Sequence, residues 1–222
     1  MKHIKPYKIF ESNEPNFPTS REENIEVCED YEIENYTIND DLSIDVDDFV
    51  DLSQTGLEYI PLRFNYVSGG FDCNGNRLVS LKGCPQTVDG YFGCYNNKLK
   101  SLKGCPQTVG ADFDCHNNEL KTLEGAPQTV GGGFYCFNNK LKDLEYFPEV
   151  NGIIDIEGNT VYLLVYTFIK KADSFLIEDF IDYEIVRNRD TVMLDRLQTF
   201  IKDNDLEMPD LDKIKKHYKI IE

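Results

Sequence analysis

The chain has no apolar run of transmembrane length, no Cys-x-x-Cys pair and only three histidines, His3, His116 and His217, each in a different segment. The first absence, together with an N-terminus that lacks the apolar core of a signal peptide, points to a soluble cytoplasmic protein with no membrane partner. The second removes the common zinc and thiol–disulfide motifs. The third leaves no nucleophile and base that could meet. A phosphate-cradling glycine loop is missing too, since Gly131-Gly132-Gly133 belongs to an inter-repeat turn. Asp45, Asp47, Asp48 and Asp51 lack the glycine and distal glutamate of a calcium loop. The expectation is a non-enzyme with no metal and no cofactor.

Positive charge is also scarce: 23 Lys and Arg stand against 40 Asp and Glu, for a net charge of −17. Residues 1–69 carry 16 acidic and 5 basic side chains, residues 70–150 carry 9 and 8, and residues 151–222 carry 15 and 10. Phosphate backbones would repel such a chain, so nucleic acid is not an expected partner. The acidic N-terminal third either attracts a basic protein surface or is simply a solvated segment.

What is present is a repeat. Cys73, Cys94, Cys115 and Cys136 fall 21 residues apart, each inside one phrase: FDCNGNRLVSLKGCPQTV, FGCYNNKLKSLKGCPQTV, FDCHNNELKTLEGAPQTV and FYCFNNKLKDLEYFPEV. A fixed period of this size signals a solenoid. Leu52 precedes Cys73 by 21, with Thr55 in the asparagine place, and Ile156 follows Cys136 by 20. About six rungs result, with degenerate outer copies.

Each column implies a physical role. Phe and Cys two residues apart face inward from a short strand, and the residues beside them face out. Asn76, Asn97, Asn118, Asn139 and Asn159 fall where the chain leaves the strand, so their amides can bond backbone groups left unpaired by the turn, and stacked copies can form a ladder. Two leucine columns fill the interior. Pro61, Pro85, Pro106, Pro127 and Pro148 favour an extended return arm, giving strands on the concave side and extended or 3₁₀ segments on the convex side. The cysteine columns accept Leu52, Ile156, Ala126 and Phe147, so their thiols are apolar filler, buried and reduced. Cys28 lies outside the pattern and is open to exposure.

The frame Phe-x-Cys-x-x-Asn-x-Leu-x-x-Leu resembles the short bacterial type of leucine-rich repeat. The phrases YTIN (Tyr36–Asn39), DLSIDV (to Val46), VDLS (from Val50) and LKGCP (Leu81–Pro85) are similar to small leucine-rich-repeat proteins of tailed bacteriophages and some bacteria. The likeness covers about residues 36–205. It implies an α/β repeat solenoid, a leucine-rich-repeat stack with a parallel concave sheet, and an interaction role rather than a reaction. Secreted effectors with similar repeats can carry a cysteine-dependent ubiquitin-ligase domain. No cysteine follows Cys136, so that reading is excluded here.

The expected organisation is a mobile acidic arm over residues 1–35, with a short ordered piece near Ile4–Phe10, and an N-terminal β-hairpin cap over 36–50. Leucine-rich repeats follow over 51–160, and a C-terminal helical cap over 161–222. In that cap Asp173 or Ser174 would start one helix and Asp190 another, the second carrying Met193, Leu194, Leu197, Phe200 and Ile201. A short strand is expected in His217–Ile221.

The candidate site is the concave face. Tyr95, His116 and Phe137 follow the column cysteines and form a row on successive strands, about 4.8 Å apart. Tyr91, Asp114 and Tyr135 stand beside them. Exposed aromatics on a rigid sheet anchor protein partners. The alternatives are that stacking merely stabilises the sheet or that the N-terminal arm covers it. The favoured function is a non-catalytic protein-protein interaction module, phage-encoded, that binds a host or viral protein. The alternative is a structural or accessory virion component.

Overall fold

The computed structural model describes residues 16–166, 169 and 174–222. Helix α1 (Arg21–Asp30) precedes strands β1 (Tyr36–Ile38), β2 (Ile44–Val46), β3 (Val50–Asp51), β4 (Phe64–Val67), β5 (Phe71–Asp72), β6 (Thr87–Val88) and β7 (Phe92–Gly93). The repeat continues through β8 (Thr108–Val109), β9 (Phe113–Asp114), β10 (Thr129–Val130), β11 (Phe134–Tyr135), β12 (Glu149–Val150) and β13 (Ile154–Asp155). Then come α2 (Tyr162–Val165), α3 (Ser174–Asp182), β14 (Val186–Arg187), β15 (Thr191–Met193), α4 (Leu194–Asp203), α5 (Leu211–Ile214) and β16 (Lys219–Ile221). The segment Ile4–Phe10 and the capping position Asp173 fall outside the described residues.

The 21-residue period becomes a parallel β-solenoid of about five turns. Strands β3, β5, β7, β9, β11 and β13 form one six-stranded sheet, and β1, β2, β4, β6, β8, β10 and β12 form a seven-stranded sheet. Register is uniform: Val50, Phe71, Phe92, Phe113, Phe134 and Ile154 are successive partners, so the 20-residue step to the last turn is absorbed outside the strand. The expectation of strands on one side only is corrected. The return arm forms strands as well, because the β-branched Thr-Val pairs after Pro85, Pro106 and Pro127 stack in register.

Two inward rows hold the turns together. Phe71, Phe92, Phe113 and Phe134 are fully buried and stack with centroids 5.4–5.7 Å apart. Phe64 and Phe147 close the two ends of that stack edge-on, at 5.1 and 5.2 Å. The offset and edge-to-face arrangements are those that aromatic quadrupoles favour. Beside them lie the column thiols, all free and buried, and burial pushes those of Cys94 and Cys115 well above the ordinary range.

The asparagine column satisfies the backbone where strand geometry ends. Asn118 Oδ1 accepts from Leu99 N–H of the preceding turn at 3.0 Å, while its Nδ2 donates to Cys94 O at 3.0 Å and Cys115 O at 3.1 Å. Asn97, Asn139 and Asn159 repeat the pattern. These amides therefore bridge turns through the backbone. A side-chain ladder exists too, but in the next column, where Asn138 donates to Asn117 and Asn117 to Asn96, at 3.0 and 2.8 Å. Those three take φ of 52–54°, the left-handed region that asparagine tolerates. The LKGCP phrase is a tight turn: Cys84 N–H donates to Leu81 O at 3.0 Å, with Gly83 at φ +102° in the position that demands glycine.

The ends depart further from expectation. Residues 21–30, assigned to a mobile arm, form α1, which Ser20 caps by accepting from Glu23 N–H at 3.2 Å while Glu23 accepts from Thr19 N–H at 2.7 Å. Its Val27 and Cys28 are buried, so Cys28 is not exposed, and burial pushes its thiol up to about 12. The hairpin expected over 36–50 pairs β1 with β2 through Tyr36↔Val46, Thr37↔Asp45 and Ile38↔Ile44.

The C-terminal unit is not purely helical, since β14, β15 and β16 make a three-stranded sheet. Asn188 and Arg189, at φ 50° and 60°, form the hairpin turn between β14 and β15. Asp190 consequently does not cap α4, whose N-cap is Met193 with no side-chain bond. Leu197, Phe200 and Ile201 are the buried positions of α4, and β16 lies within the stretch expected as a strand. Tyr218 donates to Lys142 O at 2.8 Å and Arg189 Nε to Asp143 at 3.1 Å, which ties this unit to the last repeat.

Asn118→Ala strands the buried Leu99 N–H and takes one of two amide donors from Cys94 O and Cys115 O, which keep Asn97 and Asn139. It should cost about 2 kcal/mol in urea unfolding, against less than about 0.5 kcal/mol for the exposed Asn117→Gly. The seven thiols should react with Ellman's reagent only on unfolding; rapid native labelling would contradict their burial.

Candidate protein-binding face

Outward residues of the six-stranded sheet form three columns. Before the strands stand Phe49, Gly70, Tyr91, Asp112, Gly133 and Ile153; within them Asp51, Asp72, Gly93, Asp114, Tyr135 and Asp155; after them Ser53, Asn74, Tyr95, His116, Phe137 and Glu157. All six predicted site residues lie on this one face.

Tyr95, His116 and Phe137 do stack, with centroids 4.5 and 4.2 Å apart and planes within 12°. Their spacing is closer than the 5.4–5.7 Å of the phenylalanines inside. His116 Nδ1 and Asp114 Oδ1 are 2.5 Å apart, with both side chains about 15–17% exposed. With Nδ1–H donating to that carboxylate, Nε2 is the ring's remaining polar atom. The histidine is thus clamped on both faces and at one edge. The row is a rigid ridge that presents ring edges.

Aromatic and glycine positions are paired. A Cβ at Gly93 would run into the Tyr91 ring, one at Gly133 would lie 2.8 Å from the Tyr135 ring, and one at Gly70 2.7 Å from that of Phe49. The rings therefore lie down across the sheet where a neighbouring side chain is missing. Tyr91 rests between carboxylates, and burial, then the charges of Asp114 and Asp72, push its hydroxyl up.

The acids of the middle column share one geometry. Oδ1 of Asp51, Asp72, Asp114 and Asp155 accepts the backbone N–H two residues on, at 2.9, 3.0, 3.2 and 3.0 Å. Each closes the turn at the strand end in the way an aspartate favours. Among the described residues, none of these four accepts a side-chain hydrogen bond at its second oxygen. Burial raises Asp72 and Asp114 above the ordinary carboxylate range, although Asn74 and His116 oppose the shift.

Sequence reasoning missed Phe49 and Ile153. They are 48% and 63% exposed, and they end the column that also holds Tyr91. Taking the position three before the cysteine column at Leu52 and Ile156, as at the inner repeats, would have found them. The same step adds Asp51, Asp155 and Glu157. Among the described residues no group of three or more His, Cys, Asp or Glu side chains could hold a metal, and no helix is long and apolar enough to cross a membrane.

The other faces differ. The seven-stranded sheet presents Asp45, Tyr66, Thr87, Thr108, Thr129 and Glu149 in one register column, with Gln86, Gln107 and Gln128 beside the threonines. All eight Lys and Arg of residues 70–150 lie on the segment between the two sheets, from Arg77 to Lys142.

Asp72→Asn keeps the turn acceptor but removes a charge that burial disfavours. A raised folded pKa means that stability falls as pH rises through it. The variant should therefore melt higher than the parent at neutral pH, and the gap should close as pH drops below the ordinary value of 3.8. A gap that persists unchanged in acid would show that charge is not its cause. Comparison with protein-family models, curated proteins and solved structures finds no match.

Proposed function

We propose that the chain is a non-catalytic interaction module of the leucine-rich-repeat type, phage-encoded and cytoplasmic, that binds a protein partner on its concave sheet. The single observation that carries the reading is the ridge of Tyr95, His116 and Phe137, held rigid by stacking at 4.5 and 4.2 Å and flanked by exposed Phe49 and Ile153. Rigid aromatic surface loses little conformational freedom when a partner docks, so its burial is realised as affinity. Stacking alone explains why the rings touch. It does not explain large apolar residues left in water at both ends of the same face. The phage attribution is supported by the phrases YTIN, DLSIDV and LKGCP.

Affinity capture from the source cells tests the reading. Tyr95→Ala, His116→Ala and Phe137→Ala combined should remove proteins retained by the parent chain, while Thr87→Ala, Thr108→Ala and Thr129→Ala on the opposite sheet should retain them. Equal retention by both variants, with folding verified by circular dichroism, would sink the assignment.

A further inference from the structure

We infer that the segment seated on the concave face is an extended, cationic stretch of a protein partner, rich in arginine or lysine. This rests on reading that face as a docking surface.

The three outward columns hold six carboxylates, Asp51, Asp72, Asp112, Asp114, Asp155 and Glu157, and no lysine or arginine. Charge is segregated rather than sparse, because every basic side chain of residues 70–150 sits on the return segment. A face lined by one sign of charge focuses its field and favours an oppositely charged ligand. The carboxylates are also oriented. In Asp51, Asp72, Asp114 and Asp155 the first oxygen is occupied by the turn N–H, which fixes the second in place. Fixed carboxylate oxygens suit ammonium and, above all, guanidinium donors.

The aromatic ridge suits the same ligand. Lysine and arginine carry apolar stems that lie along ring surface while the charged head reaches past it. Here the ridge lies next to the carboxylate column: Asp114 bonds His116, and burial, then the nearby Asp72 and Asp114 charges, push the Tyr95 hydroxyl up. An anionic segment would face like charge along the whole sheet. A purely apolar one would desolvate Asp72 and Asp114 further without compensation. Six strands at about 4.8 Å span about 24 Å, the length of roughly seven extended residues.

Fluorescence anisotropy with labelled nona-arginine, nona-lysine and nona-glutamate tests the inference on the full chain. Both cationic peptides should bind and nona-glutamate should not. Asp72→Asn with Asp114→Asn should weaken nona-arginine about tenfold, while Glu22→Gln with Glu29→Gln on α1, an equal change of charge, should shift it less than about twofold. Equal weakening by both pairs would mean diffuse attraction, and it would overturn the inference, as would failure of the cationic peptides to bind. Tighter binding on removal of residues 1–15, which carry Lys2, Lys5 and Lys8, would make the chain's own segment the occupant and equally overturn it. Self-association relieved by Asp72→Asn and Asp114→Asn in sedimentation would do the same in favour of a second copy. A captured partner lost with the aromatic triple variant but kept by Asp72→Asn/Asp114→Asn would refute the cationic ligand alone and leave the docking face standing.

Discussion

Each repeat from Asn76 to Asn159 depends on one inward side-chain amide. Where the chain leaves the short strand, its N–H and C=O groups lose their ladder partners, and no water reaches them. Asn97, Asn118, Asn139 and Asn159 each meet that need with one acceptor and two donations, spanning two successive turns. A two-residue strand contributes too few bonds to define register alone. The amide adds a directional contact at a fixed height in each turn, and the phenylalanine stack adds the apolar counterpart.

That constraint has a consequence on the opposite side of the strand. Because the inner rows are locked, the outer columns are held at the same repeat, and Tyr95, His116 and Phe137 have no choice but to touch. The face is therefore preorganised by the core behind it. Asp72 and Asp114 sit where burial disfavours their charge, which makes the folded state carry a cost at neutral pH. Strain of this kind is retained at surfaces that meet a ligand more readily than at those that do not.

Legibility differed by element. The register of the six-stranded sheet, the inward Phe and Cys rows and the asparagine bonds followed from a period of 21 and the chemistry of an amide. Helix α1 was missed although Ser20-Arg21-Glu22-Glu23 spells a capping box, because its buried positions, Asn24, Val27 and Cys28, make no long apolar stripe. The return-arm strands were missed because Thr-Val pairs are too short to alternate visibly. The hairpin of β14 and β15 was hidden by the helical spacing of Met193 to Ile201, which continues past the point where the strand ends.

The sequence by itself determined that the chain stacks, which residues face in, and which residues form the aromatic row. Those follow from periodicity, since equal spacing places like residues in one column whatever the details. Only the tertiary structure decided that His116 is clamped by Asp114, that glycines give the rings their resting places, and that all lysines of the repeats leave the six-stranded sheet to the acids. These contacts arise from how the return segment closes each turn and stacks it on the next, a three-dimensional property that no single repeat contains.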